Sequence, residues 1–193
     1  MRPLHSMNSE QGRLLTAIAR AVISKQLGIR ASMPKVSDHP WLDEFGATFV
    51  TLKKSSKLRG CIGSLKSRQS LINDLQDNAV SAAIRDPRFP PVTADELDSI
   101  SIEVSVLTEP EPIHFNDEGD ALAQLKAHED GVIFQFEKHR STFLPQVWEQ
   151  LPNPELFMAN LKQKAGLASD FWSDGVLLYR YRVEKFSEND HAE

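Results

Sequence analysis

The stretch ATFVTLKKSSKLRGCIGSL, residues 47–65, decides the fold class. Thr48, Val50 and Leu52 alternate with Phe49 and Thr51, a period of two that sends successive side chains to opposite faces of a strand. Ser55, Ser56 and Lys57 read as a turn, and Leu58 to Leu65 as the returning strand. Strands joined by so short a turn pair antiparallel.

The flanking segments extend this hairpin into a mixed architecture. Upstream, Ser9 caps a helix running to about Lys25, with Leu14, Leu15, Ile18, Ala21 and Val22 on one face. Gly28, Pro34 and Pro40 punctuate the loop that follows. Downstream, Ser70 opens a helix to about Arg85, striped by Leu71, Leu75, Ala79 and Ala82. A proline-stiffened loop, RDPRFPPV, leads to a Thr93–Glu96 capping box. The next strand alternates Ile100, Ile102, Val104 and Val106 against Ser101, Glu103 and Ser105. The order then recurs: a short helix at 118–128, a hairpin over 131–144 turning near Lys138, a helix from Pro154 to Ala165 capped by Asn153 and closed by Gly166, and a strand over 175–186. Hairpin, helix, strand thus appears at about 46–108 and again at 131–186, which predicts an α+β class with largely antiparallel pairing.

Composition narrows the classes of function. At 193 residues, 40% hydrophobic and 25% charged, the chain matches ordinary globular proteins and has the length for a substantial core. Its one cysteine rules out an intrachain disulfide and suits a reducing compartment, so a cytoplasmic location is expected. No apolar run approaches the roughly 18 residues of a membrane span, and MRPLHSMNSEQG lacks the apolar core of a secretory signal. The net charge of −5 argues against a nucleic-acid duplex as partner, because such binding draws on neutralised phosphates. The six histidines are scattered, and no Cys-x-x-Cys, His-Glu-x-x-His or Gly-x-Gly-x-x-Gly string occurs, so no metal or cofactor is expected.

The strings GATFVTL, LRGCIGSL, DPRFPPVTADEL, IEVSVL and LPQVW, in this order, resemble the AMMECR domain family, including the protein A component of the AmmeMemoRadiSam group. The resemblance covers about residues 9–186 and implies a single domain of two related halves sharing one curved sheet. Residues 1–8 and 187–193 are expected to be flexible tails. It also implies association with a MEMO-type protein and a radical SAM protein. The family supplies no activity. Its motif residues fall on Arg59, Gly60, Cys61, Gly63, Asp86, Arg88, Phe89 and Glu103.

Cys61 carries the candidate chemistry. Strand alternation puts Arg59, Cys61 and Gly63 on one face, about 7 Å apart from one to the next. A fixed cation at that range favours thiolate, the nucleophilic form. Gly60 and Gly63 leave room for a ligand to approach or, equally, for a bulge. The competing reading makes Cys61 a small packing residue. Glu103, polar on an apolar strand, suits acid–base work if it reaches the same cleft between the halves, or an ion pair otherwise. Arg88, stiffened by prolines, suits anion binding; in the structural alternative Asp86 caps backbone and Phe89 plugs the core. Thr142 in the second hairpin completes the candidate substrate-binding set of Arg59, Gly60, Gly63 and Arg88, and His139 is the histidine best placed to assist Cys61. Two functions remain open: a cysteine-dependent enzyme and a non-catalytic interaction module. On charge alone, no tight duplex DNA binding is expected at physiological salt; strongly salt-dependent, sub-micromolar binding in an anisotropy titration would contradict it.

Overall fold

The computed structural model describes residues 7–191 and divides into two compact units. The first holds the chain up to Leu107 and resumes at Glu184; the second is Thr108–Val183. Both are α+β with antiparallel pairing.

In the first unit, α1 (Ser9–Gln26) and α2 (Leu71–Ile84) pack against one face of a sheet. Its strands are β1 (Phe45–Lys54), β2 (Lys57–Gly63), β3 (Gln69–Ser70), β4 (Ile100–Leu107) and β9 (Val183–Ser187), with β2-β1-β4-β9 as the main order and β3 also on β1. The cap of α1 is Asn8 rather than Ser9: its side chain accepts from Gln11 N at 2.9 Å while Gln11 accepts from Asn8 N at 2.9 Å. Reciprocal satisfaction of two otherwise orphaned donors fixes the helix start. The predicted stripe of α2 (Leu71, Leu75, Ala79, Ala82) meets Val50, Leu52, Ile102 and Val104 in one apolar core. A polar cluster enters this layer. Asp74, buried on α2, accepts from Thr48 N and Thr48 Oγ1, both at 2.7 Å, from Asn78 Nδ2 at 2.9 Å and from Ser64 Oγ at 2.6 Å. Four donors replace the water that the carboxylate has lost.

After β9 the described chain of the first unit makes one more turn. Residues 187–191, expected to lie in a loose tail, close β9 and form a 3-10 turn. Glu188 there receives Arg20 Nε and Nη2 at 2.9 and 2.6 Å and Ile102 N at 2.8 Å. The expected tail residues 1–6 and 192–193 lie outside the described residues.

The second unit contains β5 (Glu111–Pro112), α3 (Glu118–Ala123), β6 (Gly131–Phe136), β7 (His139–Phe143), α4 (Pro154–Lys164) and β8 (Leu177–Tyr181), in sheet order β5-β8-β6-β7. Its core centres on Trp148, stacked on Phe157 at 3.7 Å with its indole donating to Asp130 O at 2.7 Å. α3 is shorter than the predicted 118–128, because Gln124 caps it and Asp130 Oδ2 takes Lys126 N at 2.9 Å, turning the chain.

The repeat is topological as well as serial. In both units the strand after the helix pairs antiparallel with the first strand of the hairpin, giving β2-β1-β4 and β7-β6-β8. The single shared sheet is corrected to two. The last strand, expected to run unbroken over 175–186, divides at Arg182, whose N–H goes to the Thr108 hydroxyl at 2.8 Å while its carbonyl accepts from Thr108 N at 2.9 Å. A side-chain oxygen there substitutes for a ladder carbonyl, so regular pairing stops.

At Gly60 strand backbone lies directly against helix backbone: a Cβ there would be 2.2 Å from the Ala82 carbonyl oxygen. Backbone, unlike a side-chain tip, has no rotamer with which to yield. Gly60→Ala is expected to destabilise the protein by about 3 kcal/mol in urea unfolding. An unchanged midpoint would mean that α2 slides off β2 at no cost.

Candidate functional site

The surroundings of Cys61 follow from a β-bulge. From Lys54–Lys57 and Lys53–Leu58, the β1–β2 register jumps to Leu52–Gly60 and Thr51–Cys61, leaving Arg59 as the extra residue. Val50 and Leu52 point to the helices, whereas Phe49, Thr51 and Lys53 point to the opposite face of the sheet. The bulge places Cys61 on that second face, opposite Thr51. Its thiol lies 3.2 Å from Thr51 Oγ1 and is half-buried, outside the apolar core. Thr51 also pairs with Glu103 on β4, so Cys61, Thr51 and Glu103 form one row across three strands.

β2 is an edge strand, and its outward backbone groups at Cys61 would otherwise be unpaired. Asp86 and Arg88 close them. Asp86 Oδ2 accepts from Cys61 N at 2.9 Å, and Arg88 Nη2 donates to Cys61 O at 3.1 Å. The guanidinium also grips Asp86 through Nε at 2.9 Å and Nη2 at 2.7 Å, and Asp86 Oδ1 accepts from Arg88 N at 3.1 Å. Carboxylate and guanidinium together do what a neighbouring strand's C=O and N–H would do. The Arg88 fork, chiefly, holds the buried Asp86 carboxyl well below the usual carboxylate range, against the opposing effect of burial. Arg88 is raised in turn, first by the bond to Asp86, with the adjacent Cys61 thiol a smaller contributor.

Several predicted residues are engaged differently from expectation. Arg59 does not stand beside the thiol as its cation, because the bulge breaks the alternation. Its guanidinium donates to Pro90 O at 2.9 Å and pairs with Glu96 at 2.5 Å. Lys54 and then Arg59 draw Glu96 down to about 2. The cation next to Cys61 is Arg88. Glu103 is held by Lys53 at 3.0 Å and Lys185 at 3.4 Å, and only 12% of its side chain is exposed. Gly60 faces the Ala82 carbonyl, and a Cβ on Gly63 would fall 2.2 Å from the Phe49 ring. Protein therefore fills the space that both glycines leave. In the second unit, Thr142 donates to Val132 O at 2.9 Å and contacts the Tyr181 hydroxyl at 3.0 Å, while His139 Nδ1 lies 2.9 Å from Ala165 O. Burial pushes the Tyr181 hydroxyl up to about 12.

Sequence reasoning did not single out Thr51 or Lys185. The period-two pattern puts Thr51 on the face opposite the core, but its pairing with Cys61 depends on the bulge.

Comparison with known proteins finds the same architecture and the same family. A family model described as AMMECR1 matches residues 16–186. Protein MJ0810 of Methanocaldococcus jannaschii is 39% identical over 191 residues, covering 93% of this chain and 90% of its own. A protein of Methanothermobacter thermautotrophicus is 38% identical over 188 residues, covering 95% and 97%. The crystal structure of the uncharacterized protein PH0010 from Pyrococcus horikoshii superposes with a TM-score of 0.76 at 33% identity, over 94% of this chain and 93% of that one.

Because the Asp86 carboxyl is depressed in the folded protein, its stabilisation is complete above the unfolded-state value of about 3.9 and is lost as pH falls below it. Asp86→Asn is expected to cost about 3 kcal/mol at neutral pH, with a gap to wild type that narrows from about pH 4 downward. Urea unfolding of both proteins across that range measures it; a gap independent of pH would show that the charge of Asp86 does not matter.

Proposed function

We propose, for this chain, which belongs to the AMMECR1 family, a cysteine-dependent activity in which Cys61 is the nucleophile or covalent acceptor. One observation carries the reading: the only thiol of the chain is turned out of the apolar core onto a polar sheet face and contacts a hydroxyl, Thr51 Oγ1, at 3.2 Å. A cysteine serving only to fill volume belongs with the core side chains.

Each neighbour has a role in this proposal. Arg88, bonded to the Cys61 carbonyl, is placed to hold a substrate anion next to the thiol. Thr51 passes the thiol proton toward Glu103, the next residue in the row. In an acyl transfer, the Sγ–carbon bond forms as the bond to the leaving group breaks, and the leaving group recovers that proton. Asp86 acts as a positioning residue by fixing the backbone of Cys61. Arg59, Gly60 and Gly63 shape the strand that presents the thiol. A second reading, an interaction module, draws support from the same engagement of Arg59, Gly60 and Gly63 in internal contacts. Its partners would be the MEMO-type and radical SAM proteins that the family resemblance suggests, with the chain acting in the cytoplasm.

Alkylation by iodoacetamide, followed by mass spectrometry, separates the two. Cys61 is expected to react faster in native protein than in urea-unfolded chain at neutral pH, and Arg88→Ala is expected to slow the native reaction. Reaction only after unfolding would overturn the nucleophile and favour the module, for which co-purification with a MEMO-type protein is the next measurement.

A further inference from the structure

Beyond the end of β2, the chain turns through Ser64–Arg68 and borders a cavity of about 390 Å³. That volume lies within the range of small-molecule sites. Gly63, Ser64, Lys66, Arg68, Gln69 and the buried Asp74 contribute to its wall.

Among the described residues, none pairs with the two cations that line this cavity. Lys53, Lys54, Arg59 and Arg88 are each matched to a carboxylate. Lys66 and Arg68 make no hydrogen bond or ion pair among the described residues, and both are exposed. The one carboxylate in the wall, Asp74, already takes four donors from Thr48, Asn78 and Ser64. It has little accepting capacity left for either cation.

The same network sets the polarity of Ser64. Its hydroxyl proton goes to Asp74 Oδ1 at 2.6 Å, and Asn78 Nδ2 donates to its oxygen at 3.2 Å. Ser64 N is tied to Thr48 O at 2.8 Å. A hydroxyl has one proton and two lone pairs, so one lone pair stays open. Ser64 is therefore a fixed acceptor beside two free cations, and Gln69, whose Nε2 donates to Asp77 at 3.0 Å, keeps its amide oxygen as a second acceptor. A bare anion leaves those acceptors unused; a ligand joining an oxyanion to a hydroxyl uses both kinds of group.

We propose that this cavity binds a phosphorylated small molecule that carries a hydroxyl group: Lys66 and Arg68 take the phosphate oxygens, and Ser64 Oγ accepts from the hydroxyl. The inference stands apart from the reactivity of Cys61 and is tested without it.

The test follows backbone amide shifts of ¹⁵N-labelled protein during titration with glucose 6-phosphate, inorganic phosphate and glucose. Glucose 6-phosphate is expected to shift the amides of residues 63–69 saturably, inorganic phosphate to shift the same amides with lower affinity, and glucose to shift none. Lys66→Gln and Arg68→Gln, both at exposed positions, are each expected to weaken glucose 6-phosphate binding by about tenfold, the loss of one charge-assisted contact. Ser64→Ala is expected to reduce glucose 6-phosphate affinity to that of inorganic phosphate. Shifts that do not saturate, that lie outside residues 63–69, or that persist unchanged in both charge variants would overturn the site. Equal affinity for the sugar phosphate and inorganic phosphate would overturn the role of Ser64 as hydroxyl acceptor, a result that does not require the Ser64 variant to fold.

Discussion

Asp86 holds the exposed edge of the first sheet through a bond to the amide of Cys61 at 2.9 Å, and that bond is the constraint on which the candidate site rests. An edge strand presents alternate N–H and C=O groups to solvent or to another chain. Here both outward groups of Cys61 are taken, the N–H by Asp86 and the carbonyl by Arg88, which also grips Asp86. The clamp satisfies the backbone and fixes the strand without adding another strand. It also stations a guanidinium at the one thiol. The strand edge and the surroundings of the thiol thus depend on the same pair of side chains.

The bulge at Arg59 is the second determinant. Without it, counting back from the Lys54–Lys57 pair would set Cys61 opposite Val50, on the face that packs against the helices. With one extra residue, Cys61 meets Thr51 on the other face. A one-residue change of register reverses the face of every side chain beyond it. The shift also lets Gly60 lie against the Ala82 carbonyl, where no Cβ fits. Bulge, glycine and outward thiol are linked features of one strand.

The two units share a plan but not its chemistry. Each lays the strand after its helix beside the first strand of its hairpin. In the first unit the layer between helix and sheet admits a buried carboxylate saturated by four donors. In the second, an aromatic stack, Trp148 on Phe157, fills the corresponding role of holding the core. Thr142 and His139 bond to carbonyls of their own unit, so the polar groups of the second hairpin serve its own structure first.

Local patterns were legible in the chain because they rest on short-range physics. The alternation in residues 47–52 and 100–106 and the stripe at Leu71, Leu75, Ala79 and Ala82 marked strands and helix, since periodicity alone separates core from solvent. The capping box at Thr93 and Glu96, Asn153 as a cap and Gly166 as a stop were readable for the same reason, each depending on residues a few positions apart. The strings around Cys61 and Asp86 marked the family. What tertiary structure alone decided was which groups meet. Arg59, two residues from Cys61, turned to Glu96, 37 residues away, while Arg88, 27 residues away, came to the cysteine. Ion pairing is settled by the lowest total cost of desolvation and geometry across the folded chain, and proximity in sequence does not set that cost. The break at Arg182 likewise arose from backbone groups finding a partner far along the chain, at Thr108, and no local pattern encodes a partner that folding must first bring near; the bulge at Arg59 lies within the hairpin, where the glycines beside Cys61 had already left room for one.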